Sequence, residues 1–248
     1  MELEGFFERY DKVALAFSGG VDSSFLLYAA MKYKAKVRAY YVKAAFQPEF
    51  EFEDAQKLAS ELGADMKIIN IDVLGEESVV SNPADRCYHC KNKIFGTILS
   101  EAHKDGYDII IDGTNASDDV NNRPGMKALN ELKVLSPLRL CGLTKDEVRR
   151  LSREAGLFTW DKPSYACLAT RIGTGERITA EKLRITEECE DFMMRKGFKD
   201  FRIRMIGDSA KIQIRKEQFP LIMELREEIR DFLGKRYKNV FLDLEERR

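Results

Sequence analysis

Apolar runs and amphipathic stretches alternate through the first half of the chain. Val13-Ala14-Leu15-Ala16-Phe17 is a short continuous apolar run closed by Ser18-Gly19-Gly20, the pattern of a strand buried on both faces. From Asp22 to about residue 34 the pattern becomes helical, with Phe25, Leu26, Ala29 and Ala30 on one face. The same reading predicts a strand over 37–42, a helix over 52–62 stopped by Gly63, and a strand over 66–71. A helix over 91–103 and a strand over 109–111 follow. This alternation predicts an α/β fold with a doubly wound, mostly parallel sheet covered on both faces.

The second half reads differently. Residues 112–137 are rich in Asp, Asn and Gly, a loop leading into a short helix over 124–130. Thr144 with Glu147 three residues later forms a capping box for a helix that ends near Gly156. Residues 160–179 read as a long functional loop, followed by a helix from Ala180 to about residue 196. The segments 201–205 and 211–214 alternate with period two as a hairpin, and an amphipathic helix spans about 219–232. A main domain over 1–165 and a small α+β domain over 166–248 are expected.

Composition narrows the class. Of 248 residues 44% are hydrophobic and 33% charged, enough to bury a sizeable core. The net charge of −1 gives no bulk attraction to nucleic acid or membrane and argues against both as partners, a local basic patch being the alternative. The start, Met-Glu-Leu-Glu-Gly, lacks the basic and apolar regions of a signal peptide, and no apolar run approaches about 18 residues. Five unevenly spaced cysteines form no disulfide framework. A cytoplasmic, reducing setting is therefore expected, where close cysteine pairs serve as metal ligands or reactive thiols.

Ser18-Gly19-Gly20-Val21-Asp22-Ser23-Ser24 lies between the first strand and the first helix. Its glycines allow close backbone approach, and successive N–H groups at a helix N-terminus cradle an anion. Ser18, Ser23 and Ser24 add hydroxyls, and Asp22 is the natural partner for Mg²⁺. No lysine follows the glycines, so this is not a Walker A loop. The motif resembles that of the ATP-pyrophosphatases, the PP-loop family, which implies ATP as cofactor and attack of a substrate oxygen on its α-phosphate.

Three further segments refine the resemblance: Asn82-Pro83-Ala84-Asp85-Arg86-Cys87-Tyr88-His89-Cys90, then Asp112-Gly113-Thr114-Asn115 onward to Arg123-Pro124-Gly125, then Trp160-Asp161-Lys162-Pro163-Ser164-Tyr165-Ala166-Cys167-Leu168-Ala169-Thr170-Arg171. With the phosphate loop, this order is similar to the LarE family of ATP-dependent sulfur transferases in nickel-pincer nucleotide synthesis. The resemblance covers residues 10 to 215, approximately. It implies that a carboxylate of a pyridinium dicarboxylate mononucleotide is adenylated and that sulfur then expels AMP. A sulfide source and a homo-oligomer are implied with it.

Some members of that family sacrifice one cysteine, matching Cys167, and others hold an iron–sulfur cluster on three. Cys87, Cys90 and Cys167 match the latter and imply a [4Fe–4S] cluster. Zinc completed by His89 or Cys167, unligated thiols, and Cys167 as a lone donor beside Arg171 are the alternatives. Cys141 and Cys189 read as packing residues. Arg202 and Arg204 share one face of a strand and suit a nucleotide phosphate, against the alternative of a solvated face. The LarE-like pattern favours the first. Asn115, Asp118, Asp119 and Arg123 stand in the loop where open α/β sheets bind ligands, and Arg171 and Arg177 flank Gly173 and Gly175. Rival functions are cluster-dependent tRNA thiolation, ammonia-using amide synthesis, and a non-catalytic nucleotide sensor.

Overall fold

The computed structural model describes residues 2–119 and 124–247. In chain order the elements are α1 (Leu3–Arg9), β1 (Lys12–Phe17), α2 (Val21–Lys32), β2 (Lys36–Lys43), α3 (Glu49–Leu62), β3 (Met66–Asn70) and α4 (Glu77–Val80). Next come α5 (Arg86–Lys104), β4 (Ile110–Ile111), α6 (Pro124–Glu131), α7 (Pro137–Leu140), α8 (Lys145–Glu154) and α9 (Ala180–Arg195). The hairpin β5 (Arg202–Ile206) and β6 (Ser209–Gln213), then α10 (Phe219–Glu224), α11 (Arg226–Leu233) and β7 (Asn239–Leu242), complete it. The chain forms two compact units, Met1–Val73 with Asp85–Lys162, and Leu74–Ala84 with Pro163–Arg248.

The first unit is the expected α/β layer structure. Its four strands are all parallel, in the order β3-β2-β1-β4. Because side chains alternate along a strand, Val13, Leu15 and Phe17 enter one core with Leu26, Leu27, Tyr41 and Leu58. Ala14 enters the opposite one with Tyr40, Ile69, Ile98 and Ala102. Both faces of the sheet are thus covered, which explains why Val13–Phe17 of β1 is apolar without interruption. Gly63 stops α3 in the left-handed conformation at φ 63°. The strand order reverses between β1 and β4, so the loops leaving their carboxyl ends flank the crevice where such sheets bind ligands.

In the second unit β5 pairs antiparallel with β6, and β6 pairs parallel with β7. Ile203, Met205, Ala210 and Ile212 on one face of this sheet share a core with Met193, Ile222, Ile229 and Leu233 from the helices. Phe192 and Phe232 stack with centroids 4.0 Å apart. Cys189 is fully buried here and burial pushes its thiol up to about 12, as fits a packing residue. No helix among the described residues is long and apolar enough to cross a membrane.

Several elements differ from the pattern-based expectation. α5 starts at Arg86 rather than near residue 91, so both cysteines of Cys87-x-x-Cys90 lie inside the helix. The last amphipathic stretch is two helices divided at Leu225. β7 and α1 carry too few periodic positions to register as elements in the sequence.

Candidate functional site

The phosphate loop follows β1 directly. Gly19 adopts φ +71° and lies so close to α3 that a Cβ there would stand 2.8 Å from Ala55 Cβ, so glycine is required on both counts. Gly20 is the N-cap of α2 and offers no side-chain acceptor to the first-turn N–H groups. First-turn N–H groups and the positive end of a helix dipole suit an anion. Ser23 ties the loop together: its Oγ donates to Gly20 O at 3.2 Å and accepts from Ser18 N at 3.3 Å. The hydroxyls of Ser18 and Ser23 are 3.1 Å apart. Ser24 is fully buried, and its Oγ has no hydrogen-bond partner among the described residues.

The second wall comes from the loop after β4. A Cβ on Gly113 would stand 2.9 Å from Ser23 N, so this loop presses against the start of α2. Asn115 is buried and oriented by its own surroundings: Oδ1 accepts from Ser117 N at 2.8 Å, and its N–H donates to Asp118 Oδ2 at 3.0 Å. Its Nδ2 is thereby left to donate to Asp22 Oδ1 at 3.1 Å. Arg139 holds the same loop by donating to Asp118 O at 2.9 Å. Asp112 accepts from Thr114 Oγ1 at 2.5 Å and Ser136 Oγ at 2.6 Å. Asp119 is exposed, and Arg123 lies outside the described residues.

Lys145 completes the constellation. Its Nζ donates to Asp22 Oδ2 at 2.5 Å, from the first turn of α8. The Thr144–Glu147 capping box fixes where that helix begins, and Lys145 N donates to Ser117 Oγ at 3.0 Å. The glycine-serine loop, which lacks a lysine of its own, is thus given one from about 120 residues further on, the separation of Asp22 from Lys145. By pattern alone, residues 144–147 read as a helix cap. A lysine at the first position of a capped helix, α8, is the available signal.

The same unit buries a second charged group. Lys162 Nζ lies 2.7 Å from Asp54 and 3.1 Å from Glu51. Burial raises the Glu51 carboxyl despite the Lys162 ammonium. Arg149 holds the chain there by donating to Trp160 O and Lys162 O at 2.7 and 2.8 Å.

Cys87 and Cys90 stand one turn apart on the first turns of α5, Cys87 exposed and Cys90 partly so. Arg86 Nη2 lies 3.8 Å from Cys87 Sγ. His89 pairs with Asp85 at 3.2 Å. The spacing suits two adjacent ligands of a metal or cluster. Among the described residues, no group of three or more His, Cys, Asp or Glu is placed to hold a metal ion.

Cys167 belongs to the second unit, half-buried as the N-cap of a 3₁₀ turn over Leu168–Arg171. Thr170 N and Thr170 Oγ1 both donate to Cys167 O, at 2.9 and 2.8 Å. Arg171 is fully buried: Nε and Nη2 donate to Glu190 at 2.8 and 2.9 Å, and Nη1 donates to Ala166 O at 2.9 Å. Burial opposes its charge, but the Glu190 carboxylate outweighs this and holds the guanidinium above its ordinary value. Arg202 is also buried, donating to Phe201 O at 2.6 Å and Ser164 O at 2.8 Å. Burial, and next the Arg171 charge, push it down to about 10. Arg204 is exposed and donates to Gln213 Oε1 at 2.6 Å and Thr170 O at 3.0 Å. Arg177 pairs with Glu77 through two bonds of 2.7 and 2.9 Å.

A family model described as a family of unknown function, DUF7411, matches residues 11–164. The chain is 34% identical over 248 residues to an uncharacterized protein of Synechocystis sp., covering 98% of this chain and 92% of that one. It is 29% identical over 205 residues to the pyridinium-3,5-bisthiocarboxylic acid mononucleotide synthase of Lactiplantibacillus plantarum, covering 82% and 74%. It is 25% identical over 191 residues to the tRNA-specific 2-thiouridylase MnmA of Thermotoga petrophila, covering 59% and 52%.

Proposed function

We propose that this chain, which belongs to the family of unknown function DUF7411, is an ATP-dependent sulfurtransferase that activates a carboxylate of a nucleotide and replaces one oxygen by sulfur. The observation that carries this reading is Asp22, held between Lys145 and Asn115 at the phosphate cradle. It sets a carboxylate and an ammonium beside first-turn N–H groups, the equipment for binding a polyphosphate chain. The relative from Lactiplantibacillus plantarum, named for a bisthiocarboxylic acid mononucleotide, supports a pyridinium dicarboxylate mononucleotide as substrate.

In the first step a substrate carboxylate oxygen forms a bond to the α-phosphorus of ATP, and the bond to the β-phosphate oxygen breaks. Pyrophosphate leaves against the α2 N-terminus, with the Lys145 ammonium offsetting its charge. Asp22 would hold Mg²⁺, since a carboxylate with two donors still has lone pairs to spare, and the ion would neutralise the departing pyrophosphate. In the second step a sulfur nucleophile attacks the acyl carbon, and the bond to the AMP oxygen breaks. Hydrosulfide gives the thiocarboxylate directly with loss of its proton. The Cys167 thiolate instead gives a thioester, from which the thiocarboxylate leaves when the Cα proton is removed and the Cβ–Sγ bond breaks, turning Cys167 into dehydroalanine. AMP leaves readily where an oxide ion would not, which is the reason for activation. Cys167, on its ordered turn, is the residue of the second unit proposed for the sulfur chemistry. A [4Fe–4S] cluster on Cys87, Cys90 and Cys167 is the finer part of the proposal, and would supply a site for exogenous sulfide.

Similarity to a tRNA thiouridylase favours a second reading, sulfur transfer to tRNA. The net charge of −1 weighs against it. Incubation with ATP, sulfide and either the mononucleotide or bulk tRNA separates the two. Pyrophosphate and thiocarboxylate are expected from the mononucleotide alone, and thiolated tRNA would overturn the assignment.

A further inference from the structure

Glu190 occupies a position that ordinary helix patterning would fill with an apolar side chain. Leu183, Thr186, Cys189, Glu190 and Met193 form the buried stripe of α9, and Glu190 is only 1% exposed within it. A carboxylate there carries a large desolvation cost unless fully bonded. It is fully bonded. Oε1 accepts from Arg171 Nε and, at 2.9 Å, from Ile203 N, and Oε2 accepts from Arg171 Nη2 and the Tyr165 hydroxyl.

Each of those partners leads back to the chain around Cys167. Arg171, aligned by the two Glu190 oxygens, reaches Ala166 O and, at 2.8 Å, Thr170 Oγ1. Thr170 Oγ1 in turn donates to Cys167 O. Two guanidinium groups approach the Tyr165 ring, Arg171 at 4.6 Å and Arg202 at 5.2 Å from its centroid. Arg202 binds Ser164 O, and Arg204 binds Thr170 O. The carbonyl groups of Ser164, Ala166, Cys167 and Thr170 are therefore all fixed, and Leu168 and Ala169 are fully buried between them. Cys167 itself is half-buried.

We propose that Glu190 is a positioning residue for Cys167, aligning Arg171 and Tyr165 so that they lock the main chain on both sides of the thiol. Neither residue needs to touch a substrate for this. The kinetic consequence rests on the sulfurtransferase reading; the structural consequence does not. A sulfur held by a rigid turn meets the acyl carbon at one geometry, and a displacement of about 1 Å at such a site costs about a hundredfold in rate.

The test is Glu190→Gln in the full chain, with Tyr165→Phe as the milder variant should the first not fold. The amide leaves one acceptor oxygen where four donors converged, and the phenylalanine keeps the ring but removes one donor. In a single turnover, thiocarboxylate formation is expected to fall about a hundredfold in Glu190→Gln, while the preceding burst of pyrophosphate stays within about twofold in rate. Tyr165→Phe should show the same split, more weakly. A merely structural role would lower both steps in parallel, and that result overturns the proposal. Amide hydrogen exchange gives the second arm. The N–H groups of Thr170 and Ile172 should exchange faster in either variant, and unchanged protection also overturns it. Wild-type protein that performs neither step would sink the sulfurtransferase reading instead, with exchange alone then deciding the lock.

Discussion

The phosphate cradle and the Cys167 turn are built on opposite principles. The cradle is made mainly of contiguous backbone: one strand end, Gly19 and Gly20, and the first turn of α2. Among the described residues, Asn115 and Lys145 reach it from elsewhere as side chains. The Cys167 turn is held by side chains from β5, α9 and its own loop, with two buried guanidinium groups and one buried carboxylate among them. A backbone cradle tolerates sequence change beyond its glycines and withstands loss of a neighbouring side chain, because helix N–H groups remain where they are. A side-chain lattice has no such reserve. Removing one member of a buried ion pair costs about 3–5 kcal/mol and leaves the other member charged and unsolvated.

The largest expected effect breaks the comparison at its one weak point, the ammonium brought to the cradle. Lys145→Ala should lower ATP-dependent pyrophosphate release about 10²–10³-fold in a protein that still folds, since a charge facing the transferring phosphoryl group is lost. Pyrophosphate assays beside a thermal melt decide it. A folded variant with undiminished release would mean that the N–H groups suffice and that Lys145 only anchors Asp22.

A smaller effect is expected at Arg204, the exposed member of the arginine pair. Arg204→Ala should weaken the nucleotide carboxylate about tenfold, the lower end of a charge-assisted bond at about 1.5–3 kcal/mol, and leave ATP affinity unchanged. Titration of each ligand separately checks this, and equal loss for both would return Arg204 to packing against Thr170 O and Gln213. The smallest effect is a ranking. Under native conditions iodoacetamide should label exposed Cys87 first and leave Cys189 unmodified, since burial pushes that thiol up to about 12. Peptide mass spectrometry reads the order, and early labelling at Cys189 would show the second core to be open.

What could be read from the sequence follows the same division. Val13–Phe17, the Ser18-Gly19-Gly20 loop and α2 were legible because pattern and chemistry lie on adjacent residues, and Gly63 and the Thr144–Glu147 box marked helix ends locally. Arg86-Cys87-Tyr88-His89-Cys90 has no apolar period, so the true start of α5 was hidden. Lys145 was masked by its role in starting a helix. Glu190 was visible only as a charge inside an apolar stripe, a signal that gains meaning once Arg171 and Tyr165 are known to face it. Nor does any pattern announce that Leu74–Ala84 join the second unit, where Asn82 Nδ2 donates to Gly173 O at 2.7 Å. Long-range polar pairing leaves no period in a sequence.

The central claim is that a carboxylate oxygen leaves attached to AMP. Mononucleotide substrate labelled with oxygen-18 in its carboxylates, incubated with ATP and sulfide, tests it directly. One labelled oxygen per thiocarboxylate should appear in the phosphate of AMP, as read by mass spectrometry. Thiocarboxylate formed with unlabelled AMP would contradict adenylation and the role assigned to the phosphate cradle.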